Sequence, residues 1–351
     1  MKSIFGERNA TMGLPTKFEL VQKDDQFTPA RAAAAAQELV QKDQVEAMTG
    51  VVGTPQVVAG QEVLHGSCVP LIPAVSGGQK ANNPEQFPWS VAVSVPFVLE
   101  ARIWVQYLTE QFPDGAKVAL FTANTESGKD YVAGVKRFLA GTKHQLVAEQ
   151  TVEAADSAAP SSQVTTMRAS GANALLAAPL GGQCPATLSE VANQGWTPRV
   201  LLTSTCSGSS YIKAAGAAGD RVLTTLYVKD PQVARWADDP GVKAAKEAVA
   251  AHAPGSTFDA TALAGYFYGE SFWEAARVAA QSPLGLSRLG LLAAATHLDF
   301  QPVTAIPGVR VKLDGLTDTV AIEAAELNSY SAATGTFTPI KLYDFEGQLS
   351  G

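Results

Sequence analysis

The feature that most constrains this chain is a repeated alternation. A short apolar run is followed by a glycine- or hydroxyl-rich loop and then by an amphipathic stretch of helical length. Segments 18–22, 47–52 and 69–72 read as strands, with an alanine-rich helix over 29–42 and a second helix over 57–65 between them. Thr28 stands at the N-cap of the first helix, and Pro29 takes its opening position, where a fixed φ and a missing N–H are tolerated. After a strand-like 90–94 the series continues with helix 95–112, strand 117–122, helix 129–140, strand 145–152, helix 161–169, strand 174–178, helix 185–194 and strand 199–203. Strands separated by helices predict parallel sheets, because a parallel neighbour is reached only through a crossover. Beyond strand 222–228 come longer helices over 241–252 and 258–281 and a shorter one over 287–295. Two closing strand-like segments, 319–327 and 337–343, flank a Thr334-Gly335 turn.

Single cores stop growing near about 250–300 residues, so 351 residues predict two lobes. Hydrophobic residues at 46% and charged residues at 17% point to extensive burial rather than disorder. A net charge of -7 has the wrong sign for tracking a phosphate backbone, which argues against nucleic acid as a partner. No run approaches the roughly 18 apolar residues of a membrane span; the best, 91–99, is broken by Ser94 and Pro96. The first eight residues lack the apolar segment of an export signal.

Open parallel sheets bind ligands beyond the carboxyl ends of their strands. The loops so selected, 53–56, 74–78, 123–128, 181–184 and 205–209, are rich in small and hydroxyl-bearing residues, which suit hydrogen bonding to a solute better than bond making. His65, His144, His252 and His297 show none of the zinc spacings, so no metal or other cofactor is expected. Ser210-Tyr211-Ile212-Lys213 matches an S-x-x-K pattern but lacks the S-D-N and K-T-G elements that accompany it in acyl-transfer enzymes; the chain is read as no enzyme. Cys184 and Cys206 each follow a strand end, and if those strands are neighbours the thiols reach disulfide distance; two unpaired buried thiols are the alternative. Cys68 reads as a core residue. Tyr266, near the start of a long helix, reads either as packing or as a wall for a ligand.

The run from Phe18 through Asp24-Asp25 and Thr28-Pro29-Ala30-Arg31-Ala32 into its alanine-rich helix resembles the branched-chain amino-acid type of periplasmic solute-binding proteins. The likeness continues through Val51-Val52-Gly53-Thr54, Val69 to Gly77, Lys117 to Phe121, Gly195-Trp196 and the closing strands, covering nearly the whole chain. It implies a type 1 periplasmic binding fold: two doubly wound parallel-sheet lobes joined by three hinge crossings, closing on a small organic solute, amino-acid-like, an amide or a carboxylic acid, that is delivered to the permease subunits of an ABC importer. The lobes would comprise residues 1–95 with 231–318, and 96–230 with 319–351. By the resemblance Thr54, Pro55, Ser76 and Gly77 would hold a ligand carboxylate, and Thr125, Glu126, Gly182, Gln183, Thr205 and Cys206 would cover it, with Tyr266 as a further candidate. A monomer outside the cytoplasm is expected. The alternative reading is the ligand-sensing part of a receptor or regulator with the same fold.

Two departures from the family pattern stand out. Its amino-acid binders place an acidic residue on the loop where this chain reads Ser204-Thr205-Cys206-Ser207, so an α-amino acid is not the automatic ligand, although Glu126 is a possible substitute. The family also opens with a strand for which this sequence has no counterpart, only the helix tail Phe5 to Gly13. The expectation is a late-started or truncated form of a secreted precursor, with a less stable first lobe and lower hydrogen-exchange protection there.

Overall fold

The computed structural model describes residues 1–349, apart from the side chains of Ser209 and Ser210. The serine of the S-x-x-K pattern therefore lies outside the described residues. By packing, the chain forms two compact units: Met1–Pro96, Arg235–Glu323 and Glu346–Gly351 in the first, Phe97–Ala234 and Ala324–Phe345 in the second. The chain passes between them four times rather than three. The last passage returns to the first unit because the Glu323 carboxyl, 3% exposed, accepts the N–H groups of Gly347 and Leu349.

The first unit opens with α1 (Lys2–Thr11), α2 (Pro29–Gln41), β1 (Val51–Val52), α3 (Thr54–Gly66), β2 (Leu71–Val75) and β3 (Ser90–Ala92). The strands form a parallel sheet in the order β1-β2-β3. Every residue of β2 is buried, as expected for a strand covered on both faces. Val57, Leu64 and Val69 pack with its Leu71 and Ala74 in one cluster. Segment 18–22 is not a strand: residues 13–24 make no backbone–backbone hydrogen bond among the described residues. An extended segment becomes a strand only through a neighbour, and β1, the edge of the sheet, does not pair with it. Cys68 also departs from expectation. It is exposed, in the left-handed region at φ 51, because the turn from α3 into β2 passes through it before the buried Val69.

The second unit runs α4 (Phe97–Gln111), β4 (Lys117–Ala123), α5 (Glu126–Leu139), β5 (Gln145–Val152), α6 (Ser161–Ala169), β6 (Ala174–Ala178), α7 (Gln183–Asn193), β7 (Arg199–Leu202), α8 (Ser209–Ala214) and β8 (Leu223–Leu226). The chain then supplies the first unit with α9 (Pro240–His252), α10 (Ala260–Ala280), α11 (Arg288–Ala295) and an antiparallel pair, β9 (Asp299–Phe300) with β10 (Val311–Lys312). It returns for the hairpin β11 (Ala324–Ser331) and β12 (Thr336–Asp344). The second unit's sheet has the order β12-β11-β8-β7-β6-β4-β5, antiparallel only where β11 meets β8 and β12. Its central strand, β6, is buried throughout. Asp239, Asp259 and Ser287 cap α9, α10 and α11 by accepting a backbone N–H three residues on. No helix among the described residues is long and apolar enough to cross a membrane.

Candidate functional site

In the first unit Val52 and Val75 are register partners, so the segments that follow β1 and β2 emerge at the same sheet end. Gly53, at φ 98, turns the chain from strand to helix in one residue, a conformation that favours glycine. Thr54 and Pro55 consequently form the first turn of α3 rather than a loop. Thr54 Oγ1 lies 2.8 Å from Ser76 Oγ, both residues being buried, and the Gly78 N–H donates to Ser76 Oγ at 3.1 Å. A helix's first-turn N–H groups lack intrahelical partners and carry the positive end of its dipole. A hydroxyl pair beside them makes a site for a carboxylate or carbonyl oxygen. Gln56, also buried, donates through Nε2 to Phe27 O at 2.8 Å and leaves its Oε1 without a partner.

Tyr266 behaves differently. It is 1% exposed, and its hydroxyl donates to the Glu7 carboxylate. Burial and that carboxylate push the phenol well above its usual range. It ties α10 to α1.

In the second unit the candidates lie after β4, β6 and β7, three adjacent strands. Thr125 caps α5: its Oγ1 accepts the Gly128 N–H at 3.2 Å and lies 2.8 Å from Ser127 Oγ. Glu126 pairs with Lys129 at 2.8 Å, one helical turn on. Gln183 is buried, and its amide serves the fold. Nε2 donates to Glu153 O and Asp156 O, each at 2.8 Å, and Oε1 accepts the Leu180 N–H at 3.2 Å. Gly182 and Thr205 are exposed. Cys206 is buried and bonded to Cys184 with Cα atoms 5.8 Å apart, since β6 and β7 are indeed neighbours. The bridge fastens the first turn of α7 to the segment after β7, so neither sulfur is a free ligand group.

The sequence reading overlooked Glu100. This carboxyl is 0% exposed and sits on α4 within an apolar stripe. One oxygen accepts from Ser204 N at 2.7 Å and from Thr225 Oγ1; the other accepts from Tyr131 OH and from Thr203 Oγ1 at 3.1 Å. Burial raises its pKa, and these donors oppose the rise. Glu100 thus holds residues 203–204, which lead directly into Thr205 and Cys206. A charged residue inside an otherwise apolar helical stripe was the available signal.

The carboxylates of Asp318, Glu323 and Glu346 have oxygens within 4.8 Å of one another. Glu323 already accepts two backbone N–H groups and Glu346 pairs with Lys312, so the cluster is a fastening for the C-terminal segment.

A sequence profile described as "Periplasmic binding protein" matches residues 2–319. No curated protein matches the chain. Among solved structures, a branched chain amino acid ABC transporter protein from Thermus thermophilus with bound valine is 18% identical, with a TM-score of 0.84 over 98% of this chain and 90% of its own. An ABC transporter solute binding protein from R. palustris in complex with 4-hydroxybenzoate is 17% identical, with a TM-score of 0.81 over 99% and 92%. A fatty acid ABC transporter substrate-binding protein from Thermomonospora curvata is 17% identical, with a TM-score of 0.82 over 98% and 86%.

Proposed function

Since the chain belongs to the periplasmic binding protein family and has its type 1 fold, we propose that it is an extracytoplasmic solute-binding protein delivering a small organic carboxylate to an ABC importer. The observation that carries the ligand class is the buried Thr54–Ser76 hydroxyl pair at the N-terminus of α3. Such a group of donors recognises an oxyanion without forming a bond to it. The ligands named for the three compared structures, valine, 4-hydroxybenzoate and a fatty acid, share a carboxylate and little else, which supports the same choice. The loop at Ser204-Thr205-Cys206-Ser207 carries no acidic side chain for an ammonium group, and Glu126 is engaged with Lys129. We therefore favour an acid without an α-amino group.

Within the second unit Gly182 and Thr205 are exposed, whereas Gln183 and Cys206 are engaged by bonds of that unit's own fold; Tyr266 is engaged with Glu7 in the first. Thr54→Val and Ser76→Ala should each weaken binding of the tightest acid from a panel of benzoates and fatty acids by about 10-fold or more, the value of one hydrogen bond to a charged group. Calorimetric titration of folded variants reads this directly. Unchanged affinity in both would remove the hydroxyl pair from the site.

A further inference from the structure

Strands β7, β6, β4 and β5 are parallel neighbours, so the segments that follow them leave the second unit's sheet at one end, side by side. The segment after β5 has the least support from the sheet. Residues 153–159 are exposed and, among the described residues, make no backbone–backbone hydrogen bond to it. A stretch of this kind has few contacts to oppose local opening, so the side chains that grip it decide how ordered it is.

Gln183, buried in the first turn of α7, supplies the grip. Its Nε2 donates to both Glu153 O and Asp156 O at 2.8 Å, and its Oε1 accepts the Leu180 N–H at 3.2 Å. Asn124, following β4, adds a bond from Nδ2 to Glu153 Oε1 at 2.7 Å. The next residue, Cys184, is bonded covalently to Cys206 in the segment after β7. Two consecutive residues of one helical turn therefore join the exits of β5, β6 and β7. A planar peptide bond links them, so a shift of either moves the other. A buried amide that makes three of the four hydrogen bonds open to it resists such a shift.

We propose that Gln183 and the Cys184–Cys206 bridge act as one clasp, positioning residues that hold the second unit's solute-facing rim in its binding conformation. This rests on the reading that the solute meets these strand exits; neither Gln183 nor the bridge has to touch it. Opening the clasp lowers the fraction of molecules whose rim is competent, and apparent affinity falls by that fraction. The loss then lies in the association rate, whereas deleting a solute contact raises the dissociation rate.

The test uses the full chain carrying Gln183→Leu, the pair Cys184→Ala and Cys206→Ala, or all three substitutions. Amide exchange is followed first, without solute. The paired cysteine variant should speed exchange of Asp156 and Ala158 by about fivefold or more relative to the β6 amides, which report global opening. Neither cysteine bonds to that segment. Gln183→Leu should do the same to Ser207, and combining the substitutions should add less than about twofold to either effect, as for one device broken twice. Stopped-flow binding of the tightest acid in the panel should show association slowed about tenfold in each variant, with dissociation within about twofold of wild type. Three results would overturn the proposal: exchange changes confined to the segment each substitution touches, additive effects, or faster dissociation at unchanged association. If Gln183→Leu does not fold, the cysteine variant and its effect at Asp156 and Ala158 decide the matter. Wild type that binds none of the acids would defeat the carboxylate reading, and the exchange measurements, made without solute, would still decide the clasp.

Discussion

Replacing Cys184 and Cys206 together by alanine is expected to lower the unfolding free energy of the second unit by about 3 kcal/mol, the chain-entropy value for a loop of this size. The bridge closes a loop of 22 positions, and both cysteines are buried, at 1% and 0% exposed. Beyond restricting the unfolded chain, it joins the first turn of α7 to the turn after β7, where Gly182 and Thr205 lie. Urea unfolding followed by tryptophan fluorescence, on the oxidised protein and the double variant, measures the difference. Trp104 and Trp196, both in the second unit, report on it. A loss below about 1 kcal/mol would mean that packing around the two cysteines already fixes these segments.

A loss of comparable size, about 3 kcal/mol, is expected for Glu100→Ala. It leaves the Ser204 N–H without its acceptor, strands three hydroxyl donors and opens a cavity. Glu100→Gln should be far milder, because its amide nitrogen can face Tyr131 OH and Thr203 Oγ1, hydroxyls that also accept. The pair of variants separates shape from charge. Burial raises the Glu100 pKa in the folded chain, so the native state holds this proton more tightly than the unfolded one. The associated stability is fully present below the unfolded value near ~4.3 and is lost as pH rises through the folded value. Wild type should therefore lose stability relative to Glu100→Gln as pH increases above ~4.3, and chemical denaturation at a series of pH values shows the slope. Glu270 and Glu323 are shifted in the same direction and remain in both proteins, so the difference isolates Glu100. Parallel profiles would contradict the account of Glu100.

How much was legible in the sequence depended on whether an element's partners lay nearby. In the second unit 145–152, 161–169 and 174–178 are formed at the residues where the alternation places them, because each strand is reached by a crossover helix and paired along its length. The proximity of Cys184 and Cys206 followed from the same regularity. The first unit read less well. Segment 18–22 has the composition of a strand, but pairing is a property of two segments, and among the described residues it makes no backbone hydrogen bond to another. Thr54 and Pro55 read as loop because glycine and proline signal a turn, whereas Gly53 alone makes the turn and proline is welcome in a first helical turn.

Roles of polar side chains were the least legible. Gln183 and Cys206 fell on the expected loops yet bond to the fold. Glu100 was passed over because its partners stand at 131, 203, 204 and 225, far along the chain, and only folding assembles them.

The central claim is that this chain holds a small carboxylate by hydrogen bonds and leaves it chemically unchanged. The most direct measurement is calorimetric titration of the purified chain with benzoate, 4-hydroxybenzoate, valine and a medium-chain fatty acid, followed by mass spectrometry of the released ligand. The account predicts saturable one-to-one binding of at least one non-amino acid, recovered intact. No binding of any of the four, or recovery of an altered molecule, would contradict it.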